Sequence, residues 1–251
     1  MTRVRTVATH QVVSSTFPRP VTEADELGMA IGKAIDTALG RYSHEASRGR
    51  RPGVAATVEF GMSEFDALRR EADLVLAEAL VIEVRREIEG VIRAFRGSVL
   101  FGLERPRSRL ILIGEATGIY AQPDYWDRRH AFFEMKSYRA IPPPPDVALQ
   151  MALFHLAFPG LRGSLVGFDR HADPVSVHLA EVPAPTPSER ARLLRIAHRC
   201  ALEIGVEKVL EYVDAPVVRY ALPPDAIRDA SHSDAAPSDP TAPGADRPQA
   251  P

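Results

Sequence analysis

The chain has 251 residues, 45% of them hydrophobic and 25% charged, with a formal net charge of −2 at pH 7. This is enough chain for one substantial core. It gives no global basic signal for nucleic acid, although a local basic face would suffice for that. The single cysteine, Cys200, excludes a disulfide framework and any four-cysteine zinc or iron–sulfur site, and it fits a reducing, cytoplasmic setting.

The first twenty residues contain no signal-type apolar core, and no run reaches the roughly 18 apolar residues a membrane span needs. They read as a loosely ordered arm. Residues 23–42 follow with Leu27, Ile31, Ile35 and Leu39 on one helical stripe. SHEASRGRRPG (43–53) reads as a polar loop and VAATVEF (54–60) as a short strand. Residues 62–95 carry the longest helical pattern, with Ser63 and Asp66 marking its start and a break within it allowed.

SVLFGLE (98–104), RLILIGEATGIY (109–120) and AFFEMKSYRA (131–140) read as three strands. IPPPP (141–145) ends the third and leads into a helix over 146–158, stopped at Pro159-Gly160. Two further strands are expected at 163–169 and 174–182, then a helix over 186–205, a further turn or two over VEKVLEYV, and a last strand at VVRYALP. From 223 the chain turns to Pro, Ala, Asp and Ser with almost nothing to bury, the composition of a disordered tail. The layout is α/β: a central mixed β-sheet flanked by helices, divided into an N-terminal arm and helix (1–61), a core (62–222) and the tail (223–251).

The chemistry concentrates in QPDYWDRRHAFFEMKSY, residues 122–138. Only three of the 31 basic residues are lysine, and one of them, Lys136, stands two residues after Glu134 in an apolar run. On a strand, Glu134 and Lys136 share a face while Phe133 and Met135 take the other. Asp124 falls where the preceding strand runs out, so an antiparallel neighbour can set its carboxylate beside Glu134. Two close carboxylates repel unless a cation joins them, and carboxylates with water suit Mg²⁺ or Mn²⁺. A lysine beside such an ion can orient or deprotonate water and offset charge on a phosphoryl transition state, which points to a phosphodiester substrate. The plainer alternative is a solvated strand face with a surface ion pair.

Pro123-Asp124 followed by Glu134-Met135-Lys136 resembles the PD-(D/E)xK nuclease superfamily, and the order helix, three strands, helix, strand is similar to its restriction-endonuclease-like αβββαβ core. Gln150 and Phe154, at i and i+4, resemble the Gln-xxx-Tyr motif of the RecB-like branch, with Phe in place of Tyr. The resemblance implies Asp124 and Glu134 as metal ligands with the Met135 carbonyl as a third. It also implies Lys136 as the catalytic lysine and Gln150 as a residue positioning substrate or lysine. The branch's Gly-xxx-His signature is replaced by Gly32 and Asp36, and Glu83 and Glu87 compete for the same role. Cluster-bearing members need four cysteines, so the resemblance is to the branch without an iron–sulfur cluster.

The implied function is Mg²⁺- or Mn²⁺-dependent hydrolysis of single- or double-stranded DNA in repair, recombination or defence. Arg128 and Arg129, between the two acids, are the candidates to meet phosphates. The rival reading is an inactive nuclease-fold subunit that binds nucleic acid or a protein partner, with the tail as tether. The long helical pattern is compatible with a homo-oligomer. Tyr125, Trp126 and Tyr138 suit either base stacking or a core edge, and His130, His155, His171 and Cys200 read as structural.

Overall fold

The computed structural model describes residues 2–222 except 19, 21, 51, 139, 211 and 212; the tail at 223–251, expected to be disordered, lies outside the described residues. The elements are β1 (Arg3–Ala8), α1 (Thr9–Thr16), α2 (Glu23–Ser47), α3 (Val54–Glu71), α4 (Glu78–Arg96), β2 (Arg109–Ile113), β3 (Thr117–Ala121), β4 (Tyr125–Trp126), β5 (Ala131–Lys136), α5 (Pro145–Ala157), β6 (Arg162–Asp169), β7 (Ser176–Val182), α6 (Pro187–Ile204), β8 (Val206–Val209) and β9 (Val217–Tyr220). The fold is α/β with mixed sheets and helices packed around them.

The strands form two sheets, ordered β8-β1-β3-β2-β9 and β4-β5-β6-β7. In the second, β5 and β6 are parallel and joined through α5, because a parallel pair needs a long crossover. β4 and β7 flank them antiparallel. The three strands expected as one unit do not form one: the single strand expected at 109–120 is the hairpin β2–β3 of the first sheet, and β5, from the stretch 131–140, belongs to the second.

Two apolar cores follow. One lies among α1, α5, α6 and strands of both sheets and includes Val12, Ile111, Phe132, Phe154 and Leu194. The other lies among α2, α3, α4 and the second sheet and includes Ile35, Phe65, Ile88, Phe95, Tyr125 and Phe168. The second sheet is thus covered on both faces at β6, which explains why Leu165, Val166 and Phe168 form a nearly continuous apolar run there, whereas the edge strand β7 leaves one face exposed.

Several local expectations change. The supposed arm contains β1, inserted between β3 and β8, and α1. β1 pairs with residues more than a hundred positions away, so no local pattern could announce it. VAATVEF is the opening of α3, not a strand: Thr57, Val58, Gly61, Met62 and Phe65 continue one buried helical stripe. α3 thus begins nine residues before Ser63, and a division at residue 61 falls inside it. The long pattern is two helices, α3 and α4, separated at 72–77. Residues 98–104 form turns, with one bridge from Glu104 to Trp126, and VEKV forms β8 rather than helix. Among the described residues, no helix is long and apolar enough to cross a membrane.

Candidate active site

The short strand β4, which no sequence pattern announced, builds the site. It pairs antiparallel with β5, Tyr125 opposite Phe133 and Trp126 opposite Phe132. One step back along that register, Asp124 faces Glu134, and residues opposite one another in an antiparallel pair point the same way. The Met135 amide donates to Asp124 Oδ2 at 2.8 Å and fixes the carboxylate at the strand edge.

Glu134 is 4% exposed, unusual for a carboxylate unless it is paired. Its partner is Lys136, whose Nζ donates to Glu134 Oε1 at 2.7 Å. The same ammonium donates to Gln150 Oε1 at 3.0 Å, reaching across to α5. Alternation explains the arrangement: Phe132 packs in the core beside α5, while Phe133 and Met135 pack in the other core. Phe154, one turn beyond Gln150, is buried in the α5 core rather than at the site.

A third acid arrives from α2. Gly32 lets that helix lie close to the end of β5, since a Cβ there would stand 3.3 Å from Ser137 Oγ. Asp36, one turn on, is near enough to Asp124 for the two charges to repel. Arg105, in the turn before β2, pairs with Asp36 and lies over the Tyr125 ring, its Cζ 5.7 Å from the centroid.

These charges shift one another. Burial and then the charge of Glu134 push Asp124 up to about 7, against the pull of the Met135 amide and of Lys136. Burial, then Asp124, likewise raises Asp36, with Arg105 opposing. Burial alone would lower Lys136, but the charge and hydrogen bond of Glu134 and the charge of Asp124 outweigh it and hold Lys136 above its ordinary value. The lysine is therefore a firm cation in this arrangement, suited to electrostatic stabilisation rather than to taking a proton from water.

Among the described residues, no three His, Cys, Asp or Glu side chains stand close enough to form a ready-made cage for a metal ion. Mg²⁺ does not require one, because it commonly keeps several waters and uses one or two carboxylates. The donor chemistry suits such an ion: the Asp124 carboxylate is held protonated to about pH 7 by burial and a second acid, and added positive charge would relieve both effects.

Hydrogen bonds therefore tie Asp124 to Met135 and Lys136 to both Glu134 and Gln150, and Asp36 stands outside that contact set, within range of the Asp124 charge. Arg128 and Arg129 lie apart, because they sit in the β4–β5 turn, at the opposite end of β5 from Lys136, about 16 Å along a six-residue strand. Arg128 pairs there with Glu104. Glu87 is engaged elsewhere, by Arg170 at 3.1 Å and His171 at 3.2 Å, and Glu83 is exposed on the wall of the separate cleft that these three residues line. Tyr125 is fully buried and Trp126 packs edge-on against Phe158, so neither is free to stack on a base. Arg105 is the site residue that sequence reasoning missed. It carried no local signal, being one of many scattered arginines.

No protein-family model matches this chain, and no curated protein matches it. A solved structure titled "Crystal structure of SSO0001" is similar over 77% of this chain and 83% of its own, at 15% identity and a TM-score of 0.34, a likeness that carries no argument about function.

Proposed function

We propose that the protein is a divalent-metal-dependent nuclease of PD-(D/E)xK type that hydrolyses DNA phosphodiester bonds. The observation that carries this reading is the convergence of Asp124, Glu134, Lys136 and Gln150 from three separate elements on one buried edge of the second sheet. Asp124 and Glu134, with the Met135 carbonyl as the resemblance implies, would hold Mg²⁺ or Mn²⁺. The bound ion would supply Lewis-acid polarisation of the phosphate and an acidified water.

The protein's own groups have defined tasks. Gln150 holds the Lys136 ammonium at the site, and Lys136 presents fixed positive charge where the pentavalent phosphate gathers negative charge. Arg105 keeps Asp36 paired, which limits the repulsion around Asp124. Cleavage of labelled single- and double-stranded DNA with Mg²⁺ or Mn²⁺ tests the proposal. Wild type should cut and Lys136→Ala should not, while both bind. Full cleavage by the variant would overturn the assignment.

One observation favours a second reading, an inactive nuclease-fold subunit that binds nucleic acid or a protein. Asp124, Glu134 and Asp36 each already have a partner, in the Met135 amide, Lys136 and Arg105 respectively. Calorimetric titration with Mn²⁺ separates the two readings, since an inactive subunit of this kind would give no heat that depends on Asp124 or Glu134.

A further inference from the structure

Beside the acids, a cleft of about 360 Å³ runs between the last turns of α2 and the loop before β2, lined by Ser43, His44, Ser47, Arg48, Glu104 and Arg105. Arg105 forms its inner wall. One guanidinium nitrogen holds Asp36, while Nε and the other nitrogen lie against Gly40, where a Cβ would stand only 3.0 Å from Cζ. The same side chain therefore belongs to both the acidic site and the cleft.

With Arg105 paired to Asp36 and Glu104 paired to Arg128, which does not line the cleft, the formal charge left unpaired on the cleft lining among the described residues is the positive charge of Arg48. Arg48 is exposed and has no ion-pair partner among the described residues, and His44 is exposed one turn before it. Position at a helix C-terminus accounts for some of this basic character. It does not account for Arg105, which comes from a different element and directs the cleft toward Asp36.

We infer that this cleft is a phosphate subsite, holding the phosphate of a nucleotide neighbouring the one that reacts, between Arg48, His44 and the outer face of Arg105. The inference rests on the nuclease reading for its substrate class. It goes beyond that reading in assigning a path: the strand passes the acids, crosses Arg105 and follows the end of α2. A guanidinium suits this work because its planar fork can meet a carboxylate on one edge and phosphate oxygens on another. The phosphate is either internal to the strand or at its end, and the chemistry of the cleft is the same for both.

The test uses the full chain in EDTA, so that binding is read without cleavage. Anisotropy of labelled oligo-dT, made with and without a terminal phosphate, is followed over a range of salt for wild type, for the double variant His44→Ala/Arg48→Ala, and for Arg192→Ala on α6 as a control for removal of charge. The double variant should bind about fivefold more weakly, the scale of one exposed ion pair. Its log–log salt slope should be shallower by about 0.7 for each phosphate that it no longer neutralises. Weakening confined to the phosphorylated oligonucleotide assigns the subsite to a strand end, and weakening with both assigns it to an internal phosphate. Wild-type affinity and slope in the double variant, equal weakening in Arg192→Ala, or no binding by wild type would each overturn the subsite. Cleavage in Mg²⁺ that ignores the double variant leaves the nuclease standing without the subsite. Variant-sensitive binding with no cleavage does the reverse.

Discussion

Gln150 accepts a hydrogen bond from the Lys136 ammonium at 3.0 Å, joining α5 to the end of β5. The bond matters because Lys136 has a second partner, Glu134, at 2.7 Å. An ammonium held by two acceptors from different elements has little rotational freedom left. Any charge it presents to a substrate is already in position, with little reorganisation required at the moment of reaction.

Removing that charge should therefore cost far more than removing its support. Lys136→Ala is expected to lower Mg²⁺-dependent cleavage by about a hundredfold or more. Gln150→Ala should lower it about tenfold, as loss of an orienting partner does. Single-turnover rates at saturating DNA measure both, and an equal loss in the two variants would remove the distinction between charge and support.

Asp124 gives a pH dependence in the metal-free protein. Its carboxyl holds a proton up to about pH 7 when folded, chiefly through burial and then the charge of Glu134, whereas an unfolded aspartate loses it near 4. Between those values the folded state binds more protons than the unfolded one, so stability should fall as pH rises from about 4 to about 7. Because Asp124 and Glu134 titrate together, the transition belongs to the pair. Thermal melts in EDTA should show the fall in wild type and a reduced fall in Asp124→Asn.

Divalent cations should reverse that loss. At neutral pH and about a hundredfold excess over Kd, Mn²⁺ should raise the melting temperature by roughly 5 °C or more. Asp124→Asn and Glu134→Gln should lose most of the shift, and Arg129→Ala, remote from the acids, should keep it. A shift that survives both carboxylate changes would place the ion elsewhere.

Phe95 connects the core to the site. It is fully buried and its ring lies 5.7 Å from that of Tyr125, the residue following Asp124. Phe95→Ala is expected to cost about 3–5 kcal/mol, measured by urea unfolding. Phe95→Leu should retain more of that stability, because it leaves a smaller void.

The sequence by itself determined the α/β class, the helix expected over 146–158 and seen as α5, strands β5, β6 and β7, and the capped helix α6, whose Thr186 side chain accepts from the Glu189 amide. These elements carry their signals within a few residues: alternation, helical spacing, proline and glycine stops, and caps. It also placed Glu134 and Lys136 on one face, because strand alternation is local. Tertiary structure decided the rest. β1 and β8 have no identity apart from partners about 200 residues away, and β4 is too short to read alone. Asp36 and Arg105, separated by 69 residues, meet only because α2 packs against the turn leading into β2. Arg128 and Arg129 are close to both acids in sequence, yet the antiparallel turn carries them to the far end of β5. Local patterns are set by backbone geometry over a few residues, whereas the site's charges are brought together by packing between elements that no short stretch of chain encodes.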